Sequence, residues 1–178
     1  YEPYVRNNLT LFPTVAPYIQ CAKDWQERCN VPAMLYEYHF WLPQYLDPST
    51  LNFSRVVYDD IQNYKKHGLN GLINDCSQRP FWPSGFSFYI YGQLQFDTSL
   101  SYEALMEDYF SHAYGEDWQQ ALALLQEITE TFDFAYMEGA KSKDPRISDF
   151  YDPERVPQLD RIKELAARER ALAKSHLV

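Results

Sequence analysis

Two short apolar runs, each carrying one carboxylate near its C-terminal end, set the limits on what this chain folds into. The first is Ala33-Met-Leu-Tyr-Glu-Tyr-His-Phe-Trp41, with Glu37, and the second is Leu69-Asn-Gly-Leu-Ile-Asn-Asp-Cys76, with Asp75. Between them, residues 54–67 read as one amphipathic helix. Phe53, Val57, Ile61 and Tyr64 fall on one stripe, Lys65, Lys66 and His67 suit the negative end of a helix dipole, and Gly68 is placed to stop it. A strand–helix–strand unit with acids at the strand ends is how parallel α/β enzymes build active sites.

Alternation along 33–41 places Leu35, Glu37, His39 and Trp41 on one face and Met34, Tyr36, Tyr38 and Phe40 on the other. Both faces are largely apolar at the start, which suits a strand covered on both sides. On the second strand Leu69, Gly71, Ile73 and Asp75 share a face, with Asn74 the alternative inward residue. Residues 86–96 fit two patterns. Phe86, Phe88, Ile90, Gly92, Leu94 and Phe96 alternate as in a strand, while Phe86, Ile90 and Leu94 also repeat at helix spacing.

Around this unit, residues 9–15 predict a first strand that ends near Pro13, and residues 17–30 a loop with a short helical turn. Residues 42–53 and 77–85 read as Pro-containing loops. From residue 101 the character is helical. Ser101 is placed to cap a helix over 102–113 and Gly115 to stop it. A long helix follows over 117–137, striped by Trp118, Ala121, Leu122, Leu125, Ile128, Phe132 and Tyr136. Gly139, Pro145, Pro153 and Pro157 mark an irregular connection, and Leu159, Ile162, Leu165, Ala166 and Leu172 stripe a final helix over 157–175. The first ~80 residues read as βαβ units and the last ~80 as an antiparallel helical bundle, and the expected division is residues 1–98 as the strand-bearing part of a half-barrel and residues 99–178 as a helical region packed on it.

A chain of 178 residues is long enough for one domain with a real core, or is a piece of a larger one. It opens on Tyr1 without Met, which reads as a cut N-terminus. Two or three parallel strands do not close a barrel, which needs eight. The expectation is an α/β fold that is either the second half of a barrel or a piece completed by another chain or a missing segment.

A net charge of −9 argues against nucleic acid and anionic membranes as partners, since both favour a basic surface. No stretch reaches the ~18 apolar residues of a membrane span. Cys21, Cys29 and Cys76 are odd in number and irregular in spacing, so they read as free thiols, leaning towards a reducing, cytoplasmic compartment. Neither they nor the four scattered His residues have metal-site spacing, and no cofactor motif is present. The sequons at Asn8 and Asn52 matter only in a glycosylating pathway.

The chain holds 15 Tyr, 11 Phe and 4 Trp, enough for a ring-rich core and also for a ring-lined cleft that stacks on sugars. Glu37, set among rings, is a candidate general acid whose affinity for its proton burial would raise; the alternative is a Glu paired with an Arg or a backbone amide. Asp75, beside Asn74, Cys76, Ser77 and Gln78, is a candidate catalytic or binding carboxylate, or else a turn-forming Asp. His39 and Trp41 are candidate sugar-binding residues, with core packing as the alternative. Arg79, with Phe81 and Trp82, lies in the loop after the second strand, where it could meet a substrate carboxylate or form a surface ion pair. No phosphate loop, nucleophile elbow or zinc-protease motif is present.

The run Phe88-Tyr-Ile-Tyr-Gly-Gln-Leu-Gln-Phe-Asp-Thr-Ser, then Tyr102-Glu-Ala-Leu-Met-Glu-Asp-Tyr-Phe and Ala113-Tyr-Gly115, resembles the C-terminal part of domain-of-unknown-function family 4838. Tyr36-Glu-Tyr38 and the Asp60-to-Gly68 helix end also fit that family's pattern, so the likeness spans most of residues 30–138. The family itself resembles α-glucuronidase- and hexosaminidase-like glycoside hydrolases. The resemblance implies the second half of a TIM-type (β/α)8 barrel followed by a C-terminal helical bundle, with 86–96 helical. It also implies a carbohydrate substrate, no cofactor, and an acid at the end of the strand after the Lys-x-x-Gly helix, here Asp75 or Asn74.

Together these readings give a fragment of a glycoside hydrolase with Glu37 and Asp75 as catalytic carboxylates and His39, Trp41, Asn74, Arg79 and Trp82 as substrate-binding residues. In such a pair, a separation of about 5–5.5 Å predicts retention and about 6.5–9.5 Å inversion. The competing reading is a non-catalytic glycan-binding or scaffold module that uses Trp41, Phe81 and Trp82 as a platform.

Overall fold

In the computed structural model, which describes residues 16–75, 84–132 and 161–175, the strand–helix–strand unit forms with strands shorter than the apolar runs suggest. Strand β1 is Ala33–Glu37 and strand β2 is Leu69–Asn74. They pair in parallel, with Leu35 opposite Leu72, Tyr36 opposite Ile73 and Glu37 opposite Asn74. Two further helices precede and join them. Helix α1 is Ala16–Cys29, and α2 is the single turn Leu42–Tyr45.

The crossover helix α3 is Leu51–Lys66. Its buried stripe, Phe53, Val57 and Ile61, is the one its spacing predicts, but Asp60 is buried with it. Its first turn is capped from outside: Asp47 Oδ2 accepts from the Phe53 N–H at 2.7 Å, and Ser49 Oγ from the Leu51 N–H at 3.1 Å. Gly68 follows it with φ +73°, and the Gly68 N–H donates to the Lys65 carbonyl at 3.0 Å. A side chain would strain that left-handed position, so a glycine ends the helix there.

Residues 86–96 are helix α4 (Phe86–Phe96), the helical alternative. Three of its rings or branched chains, Phe86, Ile90 and Leu94, are buried at helix spacing. Helix α5 is Tyr102–Tyr114, and Ser101 Oγ caps it by accepting from the Ala104 N–H at 3.1 Å. A 3-10 turn at Gly115–Asp117 leads into α6 (Trp118–Thr131), and the last helix, α7, is Ile162–Ser175. The core lies where α3, α4, α5 and α6 meet, with Leu165 of α7 joining it. The described residues thus form a mixed α/β fold, mostly helical, with a small two-stranded parallel sheet.

Several elements depart from their sequence expectation. Residues 42–53, read as loop, hold α2 and the start of α3, and α6 ends at Thr131, short of the expected residue 137. Residues 17–30, read as loop with a short helical turn, form the 14-residue α1. Among its described side chains the half-buried ones are Ile19, Ala22 and Gln26, of which only Ile19 is a large apolar group. Gln26 docks it, its amide donating to the Gly68 carbonyl at 3.0 Å. The expected strand at 9–15, the loop residues 76–83 and the connection at 139–157 lie outside the described residues. No helix among those described is long and apolar enough to cross a membrane.

Candidate functional site

Parallel strands leave their C-terminal ends as the place where side chains from neighbouring loops converge. Here those ends carry Glu37, the turn 38–41, Asn74 and Asp75. The pairing of Glu37 with Asn74 puts these two on one face, and alternation puts Asp75 on the other, with Ile73 and Tyr36. The two candidate catalytic carboxylates therefore point to opposite sides of the sheet. Glu37 is buried and Asp75 is exposed.

On the inner face Glu37 engages His39 twice. Its Oε2 accepts from the His39 backbone N–H at 2.6 Å, and the same oxygen forms an ion pair with ring Nδ1. The ring contact is one of charge and not of an aligned hydrogen bond. The other ring nitrogen, Nε2, lies 2.9 Å from Asp60 Oδ2 on α3, and the Tyr64 ring lies 6.0 Å from the imidazole. Burial alone would lower the affinity of His39 for its second proton, but the facing carboxylates of Asp60 and Glu37 outweigh it and raise its pKa to about 9. His39 is therefore an imidazolium at neutral pH, held between two carboxylates. The second Glu37 oxygen, Oε1, and Asn74 Oδ1 are buried without a hydrogen-bond partner.

The outer face is different in kind. Met34, Tyr36, Tyr38, Trp41 and Ile73 are all exposed. Tyr36 and Tyr38 meet edge to face at 5.4 Å, and Tyr38 and Trp41 lie 5.5 Å apart at a tilt. The Tyr36 hydroxyl donates to Asp75 Oδ2 at 2.5 Å. That hydrogen bond, helped by the nearby negative charge, pushes the Tyr36 hydroxyl up to about 12. The result is a row of three rings with a carboxylate at one end.

Trp41 reaches this row because β1 stops at Glu37. Strict alternation through residue 41 assigns Trp41 to the face of Glu37 and Phe40 to the face of Tyr36. The structure reverses both. A turn closed by the Trp41 N–H to the Tyr38 carbonyl at 3.3 Å sends Phe40 inward, 1% exposed and stacked on Phe88 at 4.0 Å, and leaves Trp41 61% exposed.

Of the predicted site residues, then, Glu37, His39 and Asn74 lie on or next to the inner face, and Asp75 and Trp41 on the outer one. Arg79 and Trp82 lie outside the described residues. Asp60, Tyr36 and Tyr38 are the members that the motif reading passed over. The signal for Asp60 was in the sequence: it is a charge three residues after Val57, on the apolar stripe of α3. Among the described residues no group of three His, Cys, Asp or Glu side chains is placed to hold a metal ion. A hollow of about 280 Å³ opens beside the start of β2, lined by Ile61, Leu69, Leu72 and Leu94 together with the polar Lys65, Asn70, Gln95, Asp97 and Thr98, and Tyr64 lies between it and His39. Compared with family models, with curated proteins and with solved structures, the chain matches none.

Proposed function

We propose that this chain contributes a carbohydrate-contacting surface to a glycoside hydrolase-like (β/α)8 barrel of which it forms a part. The exposed row Tyr36–Tyr38–Trp41, ending at Asp75, carries this reading. Ring faces stack on the C–H faces of sugars, and a carboxylate beside them accepts from sugar hydroxyls. Asp75 spends one oxygen on Tyr36, and the other is available to such a hydroxyl. The engagement of Glu37 by His39 on the opposite face favours binding over hydrolysis by a Glu37–Asp75 couple.

Hydrolysis stays as the second reading on one observation: Asp75 directly follows the last residue of a parallel strand, where barrel enzymes carry their catalytic groups. Titration of the chain with neutral hexaoses (cello-, xylo-, chito- and malto-oligosaccharides), followed by calorimetry, tests the binding role. Trp41→Ala and Tyr38→Ala are expected to weaken a binding sugar by about tenfold each, in line with the loss of one stacking ring. Unchanged affinity in both variants would reject the surface. Loss of glycan turnover in Asp75→Asn, with affinity kept, would favour the second reading.

A further inference from the structure

The outer rings depend on an inner anchor. Tyr38 and Trp41 are carried by a four-residue turn whose other two side chains, His39 and Phe40, point inward. Phe40 fills the apolar core, where many neighbouring rings could hold it. His39 is the polar anchor, and its partners come from two different elements: Glu37 at the end of β1 and Asp60 in the middle of α3.

Resting on the carbohydrate reading above, we infer that His39 is a positioning residue, whose bridge between Glu37 and Asp60 fixes the 38–41 turn and thereby the spacing of Tyr38 and Trp41. The geometry has three parts. The His39 N–H binds the Glu37 carboxylate two residues back, which ends the strand and starts the turn. Its Nε2 then ties the turn to α3. Burial at the sheet–helix junction keeps water from competing for either contact. The titratable groups facing the imidazole are Glu37 from β1 and Asp60 and Tyr64 from α3. Only the imidazolium carries the charge that pairs with Glu37 through Nδ1 while Nε2 binds Asp60, so a neutral ring keeps one of these contacts and leaves the other carboxylate buried without a facing charge. Loss of the proton therefore loosens the turn, and the high proton affinity of His39 puts that loss above neutral pH.

The test uses the whole chain labelled with 5-fluorotryptophan, with the Trp41 fluorine resonance assigned by Trp41→Phe. Trp118, on α6 beside the core, reports whether each variant is folded. In His39→Gln and in Asp60→Asn the Trp41 resonance is expected to shift and broaden while that of Trp118 stays in place. Affinity for whichever hexaose binds the parent chain is expected to fall about tenfold, the effect of losing a charge-assisted hydrogen bond. In the parent chain the Trp41 resonance is expected to move in the same direction between pH 8 and 10, and His39→Gln to abolish that movement. A Trp41 resonance that ignores both substitutions and the pH change overturns the bridge. A resonance that moves without loss of sugar affinity overturns its role in positioning the surface. If the parent chain binds none of the sugars, the carbohydrate reading fails by itself, and the resonance alone decides the bridge.

Discussion

Tyr36 donates its phenolic hydrogen to Asp75 on the face of the sheet that Glu37 does not share. This contact ties the outer face of β1 to the residue after β2 and sets the orientation of an exposed carboxylate beside the rings. Deprotonating Tyr36 would replace a hydrogen bond with two negative charges side by side, so its pKa is about 12. Asp75→Asn removes the charge and is expected to return the Tyr36 hydroxyl towards the ordinary tyrosine range. Carbon-13 NMR of ring-labelled tyrosine, with Tyr36 assigned by Tyr36→Phe, reads this directly. A Tyr36 titration that is the same in both chains would show that the hydrogen bond is not formed in solution.

The buried imidazolium makes stability depend on pH. His39 titrates at about 9 when folded, against 6.5 in the unfolded chain. The folded state thus holds the proton more tightly, and its contribution is complete below the unfolded value. It declines as pH rises from about 6.5 through about 9, where the folded group also lets go. A shift of that size corresponds to on the order of 3 kcal/mol. Urea unfolding at pH 6, 8 and 10 is expected to show stability falling across the series, and His39→Gln is expected to flatten most of that slope. An equal slope in the variant would assign the pH dependence to other groups.

The β1–α3–β2 unit was legible because three independent signals agreed: strand composition, a helical stripe and a glycine stop at Gly68. Alternation along β2 grouped Gly71, Ile73 and Asp75 as the structure does, but not Leu69, because the pairing slips by one residue between Ala33 opposite Leu69 and Met34 opposite Gly71. Two things were not legible for physical reasons. Helix α1 hides its docking in a glutamine, and hydrophobic periodicity is blind to an amide that docks by hydrogen bonds. The faces of Phe40 and Trp41 were inverted because alternation holds only while the chain is a strand. What ended β1 is the Glu37 carboxylate folding back onto the His39 N–H, a side-chain contact that the apolar run of 33–41 conceals.

That inversion is measurable. Phe40 is 1% exposed and meets the rings of Phe53, Phe88 and Tyr91, whereas Trp41 is 61% exposed. Phe40→Ala leaves a ring-sized cavity and is expected to cost about 3–5 kcal/mol. Trp41→Ala removes a surface ring and is expected to stay within about 0.5 kcal/mol of the parent chain. Denaturant midpoints of the two variants, taken side by side, would come out in the reverse order if strict alternation governed residues 38–41.

The start of α3 rests on Asp47, and the cost of losing it can be argued from its neighbours. Its Oδ2 accepts from the Phe53 N–H at 2.7 Å and its Oδ1 from the Ser49 hydroxyl at 2.9 Å. Ser49 in turn caps Leu51 and meets Thr129 Oγ1 of α6 at 2.6 Å, while Thr50 Oγ1 meets Ser84 Oγ at 2.7 Å. Thr50 itself has φ +66°, a strained position for a β-branched residue that this network holds in place. Burial raises the pKa of Asp47, and these donors lower it again in part. Asp47→Ala leaves the Phe53 N–H and the Ser49 hydroxyl without their acceptor inside the core. The expected loss is about 2–3 kcal/mol, more than for an exposed helix cap. Asp47→Asn keeps an acceptor oxygen and is expected to recover about half of it. Thermal unfolding of the two variants against the parent chain gives the comparison. An Asp47→Ala chain as stable as the parent would mean that the network around Thr50 holds α3 without its carboxylate.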